Sequence, residues 1–269
     1  MEYFTLNNGV KIPALGTGTN TFGKPANNYN APPNNDFTPA ISAIKAGYRL
    51  FDTAVSYGNE AGIGQTIAES GIPREEFFIT TKIPGRGEYI TSRENVRKCV
   101  TDSMQRLRTD YIDLYLIHHP WEDQTGMLGT WSALEELMNE GKLRAIGVSN
   151  FNTLQIELLK HNNKTTPAVN QVQCNPSQWN HEIIDHCKQN NILPMAWAPL
   201  KNMTPQFRAA LDKLTPKYSK TWAQILLRYN VQRGICVIPK SHNPQHQAEN
   251  LNIFDFKLSE EDMTFLRRS

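Results

Sequence analysis

Residues 143–173 read LRAIGVSNFNTLQIELLKHNNKTTPAVNQVQ, and the rest of the chain repeats the pattern in this stretch. A short apolar run (143–150) is followed by a segment in which apolar residues recur at three- and four-residue spacing, and then by a second apolar run (167–173). Nearly continuous apolar runs are typical of strands buried on both faces, and strands that alternate with helices must be parallel. The stretch therefore predicts a strand–helix–strand unit of a parallel sheet.

The same alternation gives eight strand–helix units along the chain. The apolar runs are ALGTGT (14–19), RLFDTA (49–54), FFITTK (77–82), YIDLYLIHH (111–119), LRAIGVSN (143–150), PAVNQVQ (167–173), ILPMAWAP (192–199) and GICVIPKS (234–241). Eight units favour a closed (β/α)8 barrel over an open sheet, and such barrels commonly reach this length as one domain. We therefore predict an α/β fold in which residues 1–269 form a single TIM barrel domain.

Two segments fall outside this alternation. The N-terminal YFTLNNGVKIP (3–13) predicts a short β-hairpin, with a two-residue turn at Asn8-Gly9. Residues 20–36 are rich in Asn, Pro and Gly, so we expect a long loop after the first barrel strand.

Composition excludes several classes of protein. The chain is 39% hydrophobic and 20% charged, as in globular proteins, and no apolar run approaches the roughly 20 residues that a membrane span needs. A net charge of +2 is too small to suggest nucleic acid or an anionic membrane as the partner. No export signal is visible, so we expect a cytoplasmic monomer that acts on a small molecule.

The cysteines support the same conclusion. Four lie far apart without CxxC spacing: Cys99, Cys174, Cys187 and Cys236. This spacing predicts reduced, mostly buried thiols rather than a zinc site or a disulfide framework.

Residues whose side chains can form hydrogen bonds stand at or near the end of seven apolar runs. They are Asp52, Lys82, His118 with His119, Ser149 with Asn150, Gln171, Trp197, and Lys240 with Ser241. Each has a structural explanation by itself, such as a rim lysine, a core histidine or a helix cap, and Asp52 or Ser56 could cap the helix that starts near Asn59. Together they favour a site, because barrel enzymes place reacting groups at the carboxyl ends of strands.

The ordered motifs resemble those of aldo-keto reductases from KIPALGTGT to LSEEDM. The matching motifs are FDTA followed by YGNE, TTK, DLYLIHHP, GKLRAIGVSNF, VNQVQCNP, AWAPL, and VIPKS followed by ENL. The resemblance implies reduction of aldehydes or ketones by NADP(H), with NAD(H) as a possible second cofactor. It also implies the catalytic tetrad Asp52, Tyr57, Lys82 and His118.

The resemblance implies a cofactor site as well, in which Trp197 stacks on the nicotinamide. Its full set is Gly18, Thr19, Asn20, Asp52, Ser149, Asn150, Gln171, Trp197, Ala198, Leu200, Lys240, Ser241, His246, Glu249 and Asn250. The implied substrate wall is Phe22, Tyr57, His118, His119 and Trp121, together with the loop over residues 20–36.

The tetrad has a physical explanation. Hydride transfer builds negative charge on the carbonyl oxygen, which calls for a proton donor, and a free tyrosine with a pKa of ~10 is a weak acid at neutral pH. We expect the Lys82 cation to depress the pKa of Tyr57, while Asp52 keeps Lys82 charged. His118 can orient the carbonyl oxygen by hydrogen bonding.

Three departures from the family pattern bear on specificity. His119 stands where relatives often have Trp, and we expect no metal at the His118–His119 pair because adjacent strand residues point to opposite faces. His246 replaces a frequent Arg, which predicts a weakened preference for NADPH. The chain ends soon after LSEEDM, so we expect a short C-terminal tail and loose substrate specificity.

Two other functions compete with this interpretation. A lysine Schiff-base aldolase also uses a barrel lysine, but Asp52 would hold Lys82 charged and therefore not nucleophilic. A nicotinamide-binding regulatory subunit would keep the cofactor site with little catalysis, and the intact tetrad argues against it.

Overall fold

The computed structural model describes all residues, 1–269, and contains two sheets. A small antiparallel sheet pairs β1 (Tyr3–Thr5) with β2 (Lys11–Pro13). The second sheet has eight parallel strands in chain order: β3 (Thr17–Gly18), β4 (Leu50–Asp52), β5 (Phe78–Ile83), β6 (Leu114–Ile117), β7 (Ile146–Ser149), β8 (Val169–Gln173), β9 (Leu193–Trp197) and β10 (Cys236–Ile238).

Backbone hydrogen bonds between the first and last strands close this sheet. The nitrogen of Gly16 donates to the oxygen of Val237 over 2.9 Å, and the nitrogen of Val237 donates to the oxygen of Ala14 over 3.0 Å. Because the two edges of the sheet are joined, no edge strand remains exposed. The predicted (β/α)8 barrel with an N-terminal hairpin is confirmed.

Helices surround the barrel, and no helix is long and apolar enough to cross a membrane. They are α1 (Thr38–Ala46), α2 (Glu60–Ala68), α3 (Arg93–Leu107), α4 (Gln124–Asn139), α5 (Thr153–Asn162), α6 (His181–Gln189), α7 (Pro205–Tyr218), α8 (Trp222–Gln232), α9 (Pro244–Leu251) and α10 (Glu260–Arg268). Local sequence sets several starts: Asn152 forms a capping box with Gln155, as Thr221 does with Gln224. Both α7 and α8 follow β9, so α7 is an addition to the repeat.

The hairpin covers the N-terminal end of the barrel. Its Leu6 and Ile12 pack with Leu50 and Leu114 from inside the barrel, in a cluster of 12 buried residues. A larger cluster of 42 residues fills the space between strands and helices. The N-terminal end of the barrel is therefore a packed core, which leaves the carboxyl end for chemistry.

The hairpin turn differs from the prediction. Leu6 and Val10 face each other across a loop of Asn7, Asn8 and Gly9, and Gly9 has a φ of 87°. The predicted two-residue turn is therefore wrong. The side-chain amide of Asn7 donates to the oxygen of Pro167, and that of Asn8 donates to the oxygen of Arg144, so barrel contacts hold this wider loop.

The loop over residues 20–36 has a defined path across the carboxyl end of the barrel. The nitrogen of Asn34 donates to the oxygen of Gly23 over 2.7 Å, and the nitrogen of Gly23 donates to the oxygen of Asp36 over 3.1 Å. These bonds close the base of the loop. Between them lies one short 3-10 helix, Pro25–Asn27.

Candidate active site

Three of the four predicted catalytic residues line one cavity of about 300 Å³ at the carboxyl end of the barrel. Asp52 is the last residue of β4, Tyr57 ends a short 3-10 helix that follows it, and His118 comes directly after β6. Lys82, near the end of β5, lies beside Asp52 with no exposed surface. The strand ends thus bring the four side chains together.

The Lys82 ammonium connects two of these groups. Its Nζ donates to Asp52 Oδ1 over 2.6 Å and to the backbone oxygen of Thr53 over 2.9 Å. It also donates to the hydroxyl of Tyr57 over 3.4 Å. A buried ammonium needs such partners, because an unpaired charge in this position would be strongly destabilising.

Protonation of the cluster suits a proton donor. Burial would lower the pKa of Lys82, but Asp52 and Tyr57 raise it above its ordinary value, so Lys82 stays an ammonium. Burial raises the pKa of Tyr57, and the nearby Lys82 only partly opposes that shift. Desolvation of the phenolate raises the pKa of Tyr57 by more than Lys82 lowers it, so the expected lowering by Lys82 is present but the net shift is upward. Tyr57 is a phenol at neutral pH.

The His118 imidazole is neutral. Burial, with help from the positive charge of Lys82, lowers the pKa of His118 to about 2. Its ring lies edge-on to that of Tyr57, with centroids 5.6 Å apart, and its Nδ1 lies 3.1 Å from the hydroxyl oxygen of Ser56. If Ser56 donates to Nδ1, the ring proton is held on Nε2.

The two adjacent histidines stack on each other. The rings of His118 and His119 are 4.5 Å apart with an angle of 10° between their planes. The opposite-face argument is wrong here, because β6 ends at Ile117 and strand alternation no longer applies. The structure contains no group of three or more His, Cys, Asp or Glu side chains that could hold a metal ion.

Hydrogen bonds join the residues expected to hold a cofactor. Gln171 Nε2 donates to Asp52 Oδ2 over 2.7 Å, and Trp197 Nε1 donates to Asn150 Oδ1 over 3.0 Å. Asn150 Nδ2 in turn lies 3.0 Å from the hydroxyl of Ser149. The members of the predicted cofactor set that line the cavity are Gly18, Thr19, Asn20, Asp52, Ser149, Asn150, Gln171, Trp197, Ala198, Leu200 and Lys240.

Lys240 is held by the loop over residues 20–36. Its Nζ donates to the hydroxyl of Thr21 over 3.2 Å and to the side-chain oxygen of Asn27. Burial, together with the positive charge of Lys201, lowers the pKa of Lys240 to about 8. The lysine is therefore a cation at neutral pH but loses its charge at mildly alkaline pH.

Four members of the predicted cofactor set lie outside the cavity. Ser241 follows Lys240, and His246, Glu249 and Asn250 lie in α9. His246 is exposed, whereas Asn250 is only 5% exposed and offers little surface to a ligand. The structure does not bring these residues next to the catalytic group.

The substrate wall differs from the predicted one in two residues. Tyr57, His118 and His119 line the cavity, but Phe22 is completely buried and packs edge-on against His242. Trp121 is also absent from the cavity wall.

The loop that carries Tyr29 was expected at the substrate wall, but neither Tyr29 nor Ser56 was singled out from the sequence as a site residue. Tyr29 lines the cavity and lies edge-on to Tyr57, with centroids 6.0 Å apart. It belongs to an irregular loop whose path no periodicity predicts. Ser56 was visible within the FDTAVSYGNE motif, but only the fold brings it to His118.

Sequence comparison assigns nearly the whole chain to one family. A sequence model described as "Aldo/keto reductase family" matches residues 14–268. The glyoxal reductase of Bacillus subtilis is 40% identical over 259 residues, which cover 96% of this chain and 89% of that protein. The 9,11-endoperoxide prostaglandin H2 reductase of Trypanosoma cruzi is 40% identical over 263 residues, which cover 96% and 88% of the two chains.

Solved structures agree with the sequence matches. An aldo/keto reductase of Brucella melitensis superimposes with a TM-score of 0.88 at 35% identity, over 99% of this chain and 98% of that chain. An aldo-keto reductase of Bombyx mori, solved in complex with NADP, gives a TM-score of 0.87 at 35% identity. The superposition covers 99% of this chain and 92% of that chain.

Proposed function

The chain belongs to the aldo/keto reductase family, and from that premise we propose that it reduces aldehydes or ketones with NADPH, using Tyr57 as the proton donor. Membership of the family makes it an NAD(P)-dependent oxidoreductase. The observation that carries the finer proposal is the contact of Lys82 with both Asp52 and Tyr57 at the cavity that His118 also lines.

The cavity fits a nicotinamide cofactor. The amide nitrogen of Gln171 is occupied by Asp52, but its oxygen accepts no hydrogen bond within the protein and suits a carboxamide donor. A Cβ on Gly18 would lie 3.3 Å from the backbone oxygen of Ile238, so a larger residue there would crowd the wall of the cavity. NADPH bound in this cavity would supply a hydride to the carbonyl carbon of the substrate.

Tyr57 would donate its phenolic proton to the carbonyl oxygen as negative charge develops there. The raised pKa keeps this proton on Tyr57 until the substrate oxygen becomes basic. Lys82 then stabilises the phenolate, and Asp52 holds Lys82 charged and directed at it. Solvent returns the proton to Tyr57 for the next turnover.

His118 would orient the carbonyl oxygen. Its neutral ring can donate from Nε2 when Ser56 donates to Nδ1. An imidazolium beside Lys82 would add a second buried cation, and the lowered pKa prevents that.

NADPH would be preferred over NADH, but less than in relatives with Arg at the position of His246. Lys240 and Ser241 offer a cation and a hydroxyl to the 2′-phosphate, while an imidazole lacks the forked donor geometry of a guanidinium. NADH therefore remains usable.

We also propose that the protein acts as a cytoplasmic monomer. All four cysteines are buried and unpaired, which suits a reducing compartment. The exposed large apolar side chains are few, namely Met1, Tyr3, Tyr29, Ile41 and Leu154.

The Schiff-base alternative conflicts with the surroundings of Lys82. An amine nucleophile must be neutral and accessible, whereas Lys82 is a buried ammonium 2.6 Å from a carboxylate. Borohydride trapping with a carbonyl compound should leave Lys82 unmodified.

The test is loss of absorbance near ~340 nm on mixing the protein with NADPH and a panel of aldehydes and ketones. We expect turnover of several of them and slower turnover with NADH. Cofactor binding without any turnover across the panel would favour a regulatory subunit, and absence of binding would overturn the proposed function.

A further inference from the structure

A second cavity adjoins the catalytic one. It has a volume of about 190 Å³ and is lined by Tyr29, Ser56, Pro84, Gly85, Arg86, His118 and His119. Tyr29, His118 and His119 line both cavities. The two cavities therefore meet at Tyr29 and the histidine pair.

Arg86 is the one permanently charged side chain of the second cavity. It is exposed and forms neither a salt bridge nor a side-chain hydrogen bond within the protein. Its charge contributes to the lowered pKa of both His118 and His119, which places the guanidinium within electrostatic reach of both rings. Because both rings are neutral at neutral pH, Arg86 supplies the positive charge of this cavity.

Close backbone packing holds Arg86 in this position. A Cβ on Gly85 would lie 2.1 Å from the backbone oxygen of His119 and 3.0 Å from the ring of Trp121. Only glycine allows the turn after β5 to approach the segment after β6 so closely. The backbone that carries Arg86 is therefore fixed beside the segment that carries His118 and His119.

We propose that Arg86 binds a carboxylate of the substrate, so that the enzyme prefers carbonyl compounds with a carboxylate over neutral compounds of similar size. This inference rests on the proposed reductase function and names the substrate class. A guanidinium matches a carboxylate with two parallel hydrogen bonds, and Arg86 has no protein partner that a substrate must displace. The carbonyl end would remain at Tyr57 and His118.

The test compares acids with their neutral esters. We would measure kcat/KM for 4-oxobutanoate and 5-oxopentanoate, each beside its methyl ester, in the wild type and in Arg86→Gln, Arg86→Lys and Arg268→Gln. Arg268 is an exposed arginine at the end of α10 and lines neither cavity, so its variant removes the same charge elsewhere on the surface.

We expect the wild type to prefer the acids. Arg86→Gln should lower kcat/KM for the acids by about 10- to 100-fold, the usual range for a lost charged hydrogen bond, and leave the esters within about twofold. Arg86→Lys should retain part of the preference because it keeps the charge but loses the fork. Arg268→Gln should leave kcat/KM unchanged for both the acids and the esters.

The proposal would be overturned if Arg86→Gln has the same ratio of kcat/KM for acids to kcat/KM for esters as the wild type, whether or not both values fall. Calorimetric binding of the product 4-hydroxybutanoate, with and without NADP⁺, gives a readout that needs no turnover. Weaker binding to Arg86→Gln than to wild type supports the site, and equal binding or none to either protein contradicts it. If no carbonyl compound is reduced, the proposed function fails while calorimetry still decides the role of Arg86.

Discussion

The two ends of the barrel are built from the same strands but bury opposite kinds of side chain. In β4, Leu50 packs in the apolar cluster under the hairpin, and Asp52, two residues later on the same face, reaches the catalytic cavity. In β6, Leu116 belongs to the apolar cluster, and His118 follows it at the cavity. In β4 a step of about 6.6 Å along the strand thus separates the apolar core from the catalytic cavity.

The two ends of the barrel should therefore respond differently to substitution. Apolar side chains need only close packing, so their loss should affect stability alone. A buried charge needs a partner as well, so the loss of one member of a pair should affect both stability and chemistry.

The largest effect is expected for Lys82→Met at the polar end. It should lower kcat by about 10³-fold or more, because the phenolate of Tyr57 loses its stabilising charge. It should also cost about 3–5 kcal/mol of unfolding free energy, since Asp52 remains buried without its ammonium partner. Urea denaturation and steady-state kinetics measure the two effects.

An exposed ion pair provides the control for Lys82→Met. Lys98 and Asp102 are also joined over 2.7 Å, but on the surface of α3, so Lys98→Met should leave stability nearly unchanged. Because Lys82 opposes the raised pKa of Tyr57, any residual activity of Lys82→Met should fall at higher pH than that of the wild type. Wild-type kcat, or a stability loss no greater than that of Lys98→Met, would show that burial of the pair is unimportant.

Leu114→Ala at the apolar end should have the opposite signature. Leu114 is completely buried, and its truncation should cost about 2–5 kcal/mol of unfolding free energy. The folded variant should keep the wild-type kcat, since Leu114 belongs to the cluster under the hairpin and does not line the catalytic cavity. A large loss of kcat at full occupancy of the folded state would contradict the separation of the two ends.

A substitution at His246 should change the preference for NADPH over NADH, with a smaller effect than Lys82→Met has on kcat. His246→Arg should raise the ratio of kcat/KM for NADPH to that for NADH by about 10- to 100-fold, as expected for a charged hydrogen bond to the 2′-phosphate. An unchanged ratio would mean that α9 does not contact the 2′-phosphate.

The pH dependence of the same ratio tests Lys240. Its lowered pKa leaves it charged at pH 7 and neutral well above about 8, so the preference for NADPH should fall as the pH rises from ~7 to ~9. A bound phosphate favours the charged lysine and moves the midpoint upward. Lys240→Met should abolish this dependence on pH. A wild-type ratio that stays constant with pH would mean that Lys240 does not bind the 2′-phosphate.

Ser56→Ala should have the smallest effect. Loss of the hydrogen bond to His118 Nδ1 should lower kcat by about 2- to 10-fold, as for a neutral hydrogen bond, without changing the affinity for NADPH. Ser56→Thr keeps the hydroxyl and should restore most of the rate. Equal kcat values in wild type and Ser56→Ala would mean that the hydrogen bond from Ser56 does not orient His118.

The sequence predicted those features that depend on strand periodicity. The alternation of apolar runs with helical segments predicted the barrel, and the ordered motifs predicted the residues that meet around Lys82. The barrel depends on a repeating local pattern that the whole fold obeys, whereas the tetrad, including Tyr57 beyond the strand end, was implied by the resemblance of the motifs to aldo-keto reductases.

The remaining features depend on segments that end or interrupt the pattern. The stacking of His118 on His119 follows from the end of β6 at Ile117, which no periodicity reveals. The position of Tyr29 depends on a loop whose Ala26 and Asn27 have positive φ angles and whose contacts lie far away in sequence. The burial of Phe22 is a packing outcome of the same loop.

Proton donation by Tyr57 can be measured as the single-turnover rate of NADPH oxidation in wild type and Tyr57→Phe. NADPH binding, followed by its fluorescence, should be nearly equal in the two proteins, because the substitution keeps the aromatic ring and removes only the hydroxyl that Lys82 contacts. NADPH oxidation should slow by about 10²-fold or more in the variant, the usual scale for a lost general acid. Oxidation at the wild-type rate with saturating cofactor and aldehyde would show that Tyr57 is not the proton donor.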